Sequence, residues 1–324
     1  MNTMHSAVID KAGPPESFRV VDLPVPRPKD SEIIVRQKYA AVNFGDVIRR
    51  KRGLFSPKGS PPYVIGFEGV GTIESMGSTV TGFRIGDRVA YLAEHGGYAE
   101  FVAVPAAQTW AVPPAVTDEA AAGITCVGLT AWGLITQSGT RPGDIALVHG
   151  AAGGVGTNLI QLLGSHGART VALVTGAEKQ SFVTGLGADV TLDRANGDVQ
   201  SEIKKHFPTG VDVIYDCVGQ DVLDLNLAAI KPGGVWMYYG STSGHPQFPG
   251  DRVLMNRLSL KGFVVFDFVR DTSAWKQGTA FLSSSLVRGI LKPQIAHILA
   301  LDQVSEAHRL LEARAVKGKI LLKL

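Results

Sequence analysis

Residues 145–165 constrain the fold most, because an apolar run there leads into a glycine-rich turn and then into a helical pattern. The turn reads Ala-Ala-Gly-Gly-Val-Gly at residues 151–156. Apolar residues then recur at helical spacing and form one stripe: Val155, Leu159, Leu162 and Leu163. A buried strand, a glycine turn and a helix in this order are typical of a dinucleotide-binding unit. The segment therefore predicts a parallel sheet covered by helices.

The glycine turn is predicted to hold the pyrophosphate of a dinucleotide. Gly153 lets the backbone approach the phosphates, and Gly156 lets the helix pack close to the strand. The helix N-terminus adds free N–H groups and the positive end of its dipole. Ala151 replaces the first glycine of the strict pattern, and its small side chain is expected to fit. The alternative is a purely structural turn. The predicted cofactor contacts here are Gly150, Ala152, Gly153, Gly154, Val155 and Gly156.

The end of the second strand predicts which dinucleotide is bound. NAD-binding units place an acidic residue about 20 residues past the glycines, whereas this sequence has Thr175 and Gly176 there, with Lys179 close behind. Thr175, backbone amides and Lys179 are predicted to bind the 2′-phosphate of NADPH. Arg194, after the next strand, is a second candidate cation. NADPH is therefore expected to be preferred over NADH, and the alternative for Lys179 is an ordinary exposed helix lysine.

The rest of the chain changes in texture along its length. The first third is punctuated by Pro and Gly between short apolar runs, which predicts a β-rich unit. From about residue 118, helical and strand patterns alternate, which predicts βαβ units. The further predicted elements are strands at 170–174, 211–216, 235–239, 263–268 and 319–324, and helices at 275–287 and 304–315.

Composition excludes several classes of protein. A net charge of +3 is too small to predict nucleic acid or an anionic membrane as the main partner. The only cysteines, Cys126 and Cys217, argue against disulfides and for a reducing compartment. The sequence contains no signal-peptide core, no apolar run of about 18 residues and no hydrolase or nucleoside-triphosphatase motif. We therefore expect a soluble, cytoplasmic protein.

Several segments, in order along the chain, resemble the medium-chain dehydrogenase/reductase superfamily. They are residues 41–46, 66–71, 86–89, 97–100, 128–131, 151–156 and 216–219. They look most like its zinc-independent quinone oxidoreductase branch, the group that includes zeta-crystallin. The resemblance spans essentially the whole chain and implies an α/β fold. It implies a GroES-like β-rich catalytic domain at residues 1–120 and 268–324, and a Rossmann domain with a doubly wound parallel sheet at residues 121–267. The active cleft is expected between them.

Two positions in the resemblance imply a reaction without zinc. In zinc-dependent relatives, a metal-binding histidine stands at the position of Phe67 and a cysteine ligand at the position of Asn43. The cysteine-rich lobe of those relatives has no counterpart either, because no cysteine precedes Cys126. We therefore expect no metal site. Hydride transfer without a metal suits quinones and α,β-unsaturated carbonyls, whose conjugation delocalises the charge that the hydride delivers.

The resemblance also implies roles for residues outside the glycine turn. Asn43 is expected to hydrogen-bond near the nicotinamide ribose, and Thr130 is expected to line the nicotinamide pocket. These two are the predicted catalytic positioning residues, and no proton donor is assigned. The alternative to a functional role is a purely structural one: Asp46 and Glu68 would only hold loops, and Thr130 would only cap a helix. The remaining predicted cofactor contacts are Val218, Gly219, Gly240, Ser241, Phe266 and Arg314, and the predicted substrate cleft contains Phe55, Tyr63 and Phe266.

The expected function is NADPH-dependent, zinc-independent reduction of quinones or α,β-unsaturated carbonyls. The alternative is a non-catalytic NADPH-binding protein of the same fold. The expected partners are a small-molecule substrate and a second copy of the chain. The run at residues 263–266 is β-branched and aromatic and is predicted to form the edge of the sheet. A homodimer through about residues 260–268 would cover that edge, although a helix or loop of the same chain is an alternative cover.

Overall fold

The computed structural model describes residues 3–54 and 60–324. Contacts between Cα atoms divide the chain into two compact units. The terminal unit comprises Met1–Cys126 and Asp267–Leu324, and the middle unit comprises Val127–Phe266. The domain bounds that the sequence suggests, 1–120 with 268–324 and 121–267, stay a prediction.

The strands of the described residues are numbered in chain order. They are β1 Thr3–Ile9, β2 Arg19–Pro24, β3 Glu32–Val42, β4 Tyr63–Val64, β5 Glu68–Met76, β6 Arg88–Leu92, β7 Phe101–Pro105, β8 Thr109–Ala111, β9 Ile145–Val148, β10 Arg169–Val174, β11 Val190–Asp193, β12 Val211–Asp216, β13 Ile230–Tyr238, β14 Ser259–Gly262, β15 Ile295–Ala300 and β16 Lys319–Lys323.

The helices are numbered in the same way. They are α1 Phe44–Arg52, α2 Asp118–Ala122, α3 Thr125–Ser138, α4 Gly154–Ser165, α5 Ala177–Gly185, α6 Val199–His206, α7 Leu223–Ala229, α8 Gly250–Met255, α9 Phe266–Arg270, α10 Thr272–Val287 and α11 Val304–Glu312. Within residues 3–54 and 60–324, no helix combines the length and the apolarity that crossing a bilayer requires.

The middle unit is built on a parallel sheet with the strand order β11-β10-β9-β12-β13-β14. Its central strand β9 is the continuous apolar run Ile-Ala-Leu-Val, as expected of a strand buried on both faces. The order reverses direction between β9 and β12, which is the switch point where ligands of such sheets bind. The predicted helix after the glycine turn is confirmed as α4, and the predicted strand 211–216 is confirmed as β12.

The predicted strand at 263–268 is wrong. The edge strand β14 ends at Gly262, and α9 begins at Phe266. The amide of Phe263 still donates to the Tyr238 carbonyl at 3.0 Å, but Tyr238 is the last residue of β13 and the ladder ends there. Phe263 and Phe268 are buried, with 7% and 8% of their surface exposed. The apolar pattern of this run therefore reflects burial of aromatic rings and not strand pairing.

The terminal unit is β-rich, as the sequence predicts. Its larger sheet runs β15-β16-β3-β5-β6-β8 with β7 added on β3, and a smaller sheet runs β2-β1-β4. The strand β3 pairs antiparallel with both β5 and β16. This pairing brings the end of β3 close to the starts of β5 and β16, although they lie far apart in the sequence. Three polar residues of the candidate site, Asn43, Glu68 and Lys319, lie at this junction.

Candidate functional site

The carboxyl edge of the middle sheet collects most of the predicted cofactor contacts. Because the strands are parallel, the segments that follow them meet along one edge. Residues 150–156 follow β9, residues 175–179 follow β10, and Arg194 follows β11. Val218 and Gly219 follow β12 in the same way. The other contacts here follow β13 and β14, and are Gly240, Ser241 and Phe266.

The glycine turn is tight against the start of α4. The Gly153 amide donates to the Gly150 carbonyl at 2.8 Å, and Gly150 has a left-handed φ of 59°. A Cβ on Gly156 would lie 2.4 Å from the Gly150 carbonyl oxygen, so a larger residue would push the helix away from the turn. Gly156 thus permits close packing of α4 on the turn, and its predicted contact with a dinucleotide stays a prediction. The first N–H groups of α4 have no partner within the helix and suit an anion.

Two further backbone segments, residues 217–219 and 240–244, are packed together at the end of β12. Gly219 has a φ of 96°, and a Cβ there would lie 2.1 Å from the Gly244 carbonyl oxygen. A Cβ on Gly240 would lie 3.0 Å from the Cys217 carbonyl oxygen. The Ser243 hydroxyl donates to the Val218 carbonyl at 2.9 Å. Backbone with small or absent side chains therefore forms this side of the edge, which suits a flat cofactor.

The thiol of Cys217 lies beneath this edge. It donates to the His149 carbonyl at 3.7 Å, and burial raises its pKa to about 11. The thiol therefore stays protonated at neutral pH and is a poor nucleophile. Cys126 is buried in the terminal unit, and both cysteines are free.

The predicted phosphate-binding residues lie at the ends of β10 and β11. The Arg194 amide donates to the Val174 carbonyl at 2.9 Å, so Arg194 adjoins the start of the Thr175–Gly176 segment. Thr175 is exposed, and Lys179 on α5 is half-buried. An acid that the sequence analysis missed is also present. Hydrogen bonds from the amides of Ala195 and Gly176 hold the pKa of Asp193 below its usual range.

The terminal unit contains a buried ion pair around Asn43. The Lys319 ammonium donates to Glu68 Oε1 at 2.8 Å, to Asn43 Oδ1 at 2.5 Å and to the Val42 carbonyl at 3.1 Å. Asn43 Nδ2 donates to the same Glu68 oxygen at 2.8 Å. Glu68 Oε2 accepts from the Cys126 amide at 2.7 Å. The amide group of Asn43 is thus held between a carboxylate and an ammonium, both almost fully buried.

These residues do not fit a catalytic zinc. The positions that carry ligands in zinc-dependent relatives hold Asn43 and Phe67, and the nearby Glu68 carboxylate is paired with the Lys319 ammonium. A fixed positive charge at 2.8 Å from the Glu68 carboxylate opposes binding of a second cation. In the described part of the chain, no group of three or more His, Cys, Asp or Glu side chains comes together that could hold a metal ion.

Asp46 and Arg49 lie on α1, next to Asn43. Asp46 Oδ2 accepts from the Asn43 amide at 3.0 Å, and burial raises the pKa of Asp46 to about 6. The Arg49 guanidinium lies 4.9 Å from the centre of the Phe67 ring. Asp46 and Glu68 therefore both hold the segments around Asn43, as their alternative interpretation states.

The other predicted residues lie as follows. Thr130 is buried inside α3 and not at its end, so the helix-cap interpretation is wrong. Tyr63, in β4, is half-buried and packs against the hydrophobic core of the terminal unit. Arg314 follows α11 with a left-handed φ of 55°, which ends the predicted helix 304–315 at Glu312. Phe55 lies outside the described residues.

Two polar residues that hold the site from beneath, Lys319 and Asn226, are not among the predicted residues, and Asp216 has no predicted role of its own. Asp216 and Asn226 are fully buried. Lys319 comes directly before the apolar run Ile-Leu-Leu, and Asn226 lies between two leucines. A polar residue next to apolar ones is the only available signal, because it indicates a buried group that needs a partner.

Two family models match the chain. The alcohol dehydrogenase GroES-like domain matches residues 29–114, and the zinc-binding dehydrogenase domain matches residues 154–284. Both matches fall in the predicted order along the chain. The name of the second model describes its wider family, and the ligand positions of this chain hold Asn43 and Phe67 as described above.

Similar proteins extend this assignment to the whole chain. A probable quinone oxidoreductase of Schizosaccharomyces pombe is 30% identical over 97% of this chain and 95% of its own length. A 2-haloacrylate reductase of Burkholderia sp is 30% identical over 98% of each chain. The structure of Escherichia coli quinone oxidoreductase complexed with NADPH has a TM-score of 0.94 and 27% identity, covering 99% of this chain and 100% of that one. The chain therefore belongs to the quinone oxidoreductase branch of the medium-chain dehydrogenase/reductase superfamily, whose members are oxidoreductases.

Proposed function

We propose that this chain is an NADPH-dependent, zinc-independent reductase of quinones or α,β-unsaturated carbonyls. The observation that carries the proposal is the carboxyl edge of the middle sheet, where three closely packed backbone segments present glycines and free helix amides. The similar proteins support the same activity. The E. coli enzyme is a quinone oxidoreductase solved with NADPH, and a 2-haloacrylate carries a conjugated double bond next to a carboxylate.

The protein residues are proposed to bind and orient, because the cofactor carries the chemistry. NADPH supplies a hydride, and the acceptor takes up that hydride and one proton to give NADP⁺ with a hydroquinone or a saturated carbonyl. Residues 150–156 would bind the pyrophosphate, and Val218, Gly219, Gly240, Ser241 and Phe266 would border the cofactor. Asn43 and Thr130 would position the nicotinamide half.

The 2′-phosphate is proposed to bind at the ends of β10 and β11. Thr175, Gly176, Lys179 and Arg194 would supply hydroxyl, amide and cationic donors there. Arg314 is proposed as a further cofactor contact. The carboxylate of Asp193 accepts two backbone amides, so its charge is partly offset where the phosphate would lie. We therefore propose that NADPH binds more tightly than NADH.

Steady-state oxidation of NADPH with a panel of quinones and enones tests this function. We expect turnover of at least one acceptor class, and we expect the rate to survive exhaustive chelation of metals. Binding of NADPH without turnover of any acceptor at high protein concentration would contradict the reductase and favour a non-catalytic NADPH-binding protein. One tightly held zinc per chain, lost together with activity, would contradict the metal-free reaction.

We also propose that the protein is a homodimer joined through β14. This strand is the last in the sheet order, and all four of its residues are exposed. Since the Phe263 amide faces β13, alternation along the strand turns the amides of Leu260 and Gly262 towards the open edge. Nearby apolar side chains are also exposed: Leu254 at 74%, Met255 at 74% and Val264 at 56%. An apolar open edge of this kind is stabilised by pairing with its two-fold copy.

A further inference from the structure

A buried polar network lies under the switch point of the middle sheet. Its members are Asp216 at the end of β12, Asn226 on α7 and His149 just after β9, and none of them is exposed to solvent. Asn226 Nδ2 lies 3.4 Å from Asp216 Oδ2, and Asn226 Oδ1 lies 2.6 Å from His149 Nε2. The side chain of Asn226 therefore joins the ends of two neighbouring strands.

The hydrogen-bond chemistry defines one orientation for each group. The Asp216 carboxylate accepts from the amides of Val218 at 2.7 Å and Gly219 at 3.1 Å, and from Trp236 Nε1 at 3.2 Å. A carboxylate only accepts, so Asn226 turns its NH₂ group towards Asp216 and its oxygen towards His149. His149 must then carry its proton on Nε2. Burial lowers the pKa of His149, which favours the neutral ring.

The network connects two segments that lie on either side of the switch point. His149 directly precedes the glycine turn that begins at Gly150. Asp216 holds the two amides of Val218 and Gly219, which form the turn at the end of β12. The side chains of His149 and Asp216 are joined through Asn226, in addition to the bonds that the His149 backbone makes with the Tyr215 carbonyl at 3.0 Å and the Cys217 thiol at 3.7 Å. A change at Asn226 is therefore transmitted to both turns at once.

From this geometry we infer that His149, Asn226 and Asp216 are positioning residues that couple the glycine turn to the turn at 217–219 and so set the affinity for the dinucleotide without touching it. This inference rests on the proposed function, because it assumes that both turns contact NADPH. The predicted phosphate site at the ends of β10 and β11 is held by its own backbone bonds, such as that from the Arg194 amide to the Val174 carbonyl at 2.9 Å. Binding of a ligand that uses those residues alone should not depend on the network.

The test compares His149→Leu, His149→Gln and Asn226→Leu with the unchanged chain. Glutamine can place an amide donor where His149 Nε2 lies, whereas leucine cannot. Tyr215→Phe is the matched control. Tyr215 is on the same strand, but its hydroxyl is bonded to Ser138 at 3.0 Å and Thr140 at 2.7 Å, two residues that precede β9. The control removes buried hydrogen bonds from the same sheet without changing the coupling.

Fluorescence titration measures the affinity for NADPH and for adenosine 2′-phosphate. We expect His149→Leu and Asn226→Leu to bind NADPH about tenfold more weakly, because each leaves a buried partner unpaired. His149→Gln should recover most of that loss, and Tyr215→Phe should retain the affinity of the unchanged chain. Adenosine 2′-phosphate should bind equally to all of them.

The outcomes separate the inference from the function on which it rests. If the unchanged chain does not bind NADPH, the proposed function is wrong and the inference is wrong with it. If the chain binds NADPH and His149→Leu binds it equally well, the inference alone is wrong. Equal loss of both ligands in His149→Leu and Tyr215→Phe would indicate a general loss of structure and would also contradict positioning. Should Asn226→Leu fail to fold, the two His149 variants decide the question.

Discussion

Replacing Lys319 by methionine is the most direct test of the buried ion pair around Asn43. Methionine is similar in length to lysine but has no charge and no donor. The Lys319 side chain is 5% exposed and that of Glu68 is 0% exposed, so water cannot replace the lost ammonium without a rearrangement. The substitution leaves the Glu68 carboxylate buried without a counter-charge. It also removes the donor to Asn43 Oδ1 and to the Val42 carbonyl.

The expected loss is large compared with the stability of an ordinary protein. Breaking a buried pair by removing one partner lowers the free energy of unfolding by about 3–5 kcal/mol, out of a total of about 5–15 kcal/mol. Most of this loss comes from the uncompensated carboxylate. The double variant Glu68→Gln with Lys319→Met should therefore regain at least half of it, because the remaining groups are neutral and still form hydrogen bonds.

Lys38→Met is the matched control in the same unit. Lys38 pairs with Asp118 at 2.7 Å, but its side chain is 55% exposed, and an exposed pair contributes about 0–1 kcal/mol. Urea denaturation followed by circular dichroism measures the free energy of unfolding of the three variants and of the unchanged chain. Free energies of unfolding of Lys319→Met and of the control that agree within about 1 kcal/mol would contradict this expectation. A double variant that is no more stable than Lys319→Met would also contradict it.

Three other substitutions test separate features. Lys179→Ala should weaken the binding of NADPH about tenfold and leave the binding of NADH almost unchanged, because a charge-assisted hydrogen bond to the phosphate is lost. Fluorescence titration measures both affinities, and equal losses would contradict the phosphate site. Leu260→Lys should shift a dimer to monomer by light scattering, whereas the control Ile85→Lys, at a residue 68% exposed in the terminal unit, should not. Burial raises the pKa of Asp46 to about 6, so the folded state binds its proton more tightly than the unfolded state. The contribution of Asp46 to stability therefore falls as the pH rises from about 4 to about 6. In urea denaturation, Asp46→Asn should match the unchanged chain at about pH 4 and be up to about 3 kcal/mol more stable at about pH 7. A difference in stability that does not change with pH would refute the burial of an ionising carboxyl.

The elements around the carboxyl edge of the middle sheet could be predicted from local sequence, because each is encoded over a few neighbouring residues. The glycine turn and α4 are an example, since a strand, a turn and one apolar stripe specify them together. The glycines carry information because a side chain would collide with backbone at Gly156 and Gly219. The run at 263–266 shows the limit of this reasoning. Its β-branched and aromatic residues suit a strand, but β14 pairs with β13 only as far as Gly262 and ends before this run. The ring of Phe263 is buried although the residue is not part of a strand.

The buried partners of the site could not be predicted in this way, because the two residues of each pair lie far apart in the sequence. Lys319 and Asn43 are 276 positions apart, and His149 and Asn226 are 77 apart. The local sequence around one residue of a pair does not indicate which residue is its partner. Only the pairing of β16 with β3, and of β12 with β9, brings these side chains within hydrogen-bond distance.

The two buried networks follow one physical rule, although they lie in different units. In each, a carboxylate at a strand terminus accepts hydrogen bonds from backbone amides: Glu68 from that of Cys126, and Asp216 from those of Val218 and Gly219. Each carboxylate also bonds to an asparagine, Asn43 or Asn226. A buried carboxylate that accepts three hydrogen bonds, as Glu68 does, or four, as Asp216 does, resists displacement, because movement leaves its charge with fewer donors. The residues that we propose to contact the dinucleotide can then be glycines with no side chain, since their positions are held from beneath.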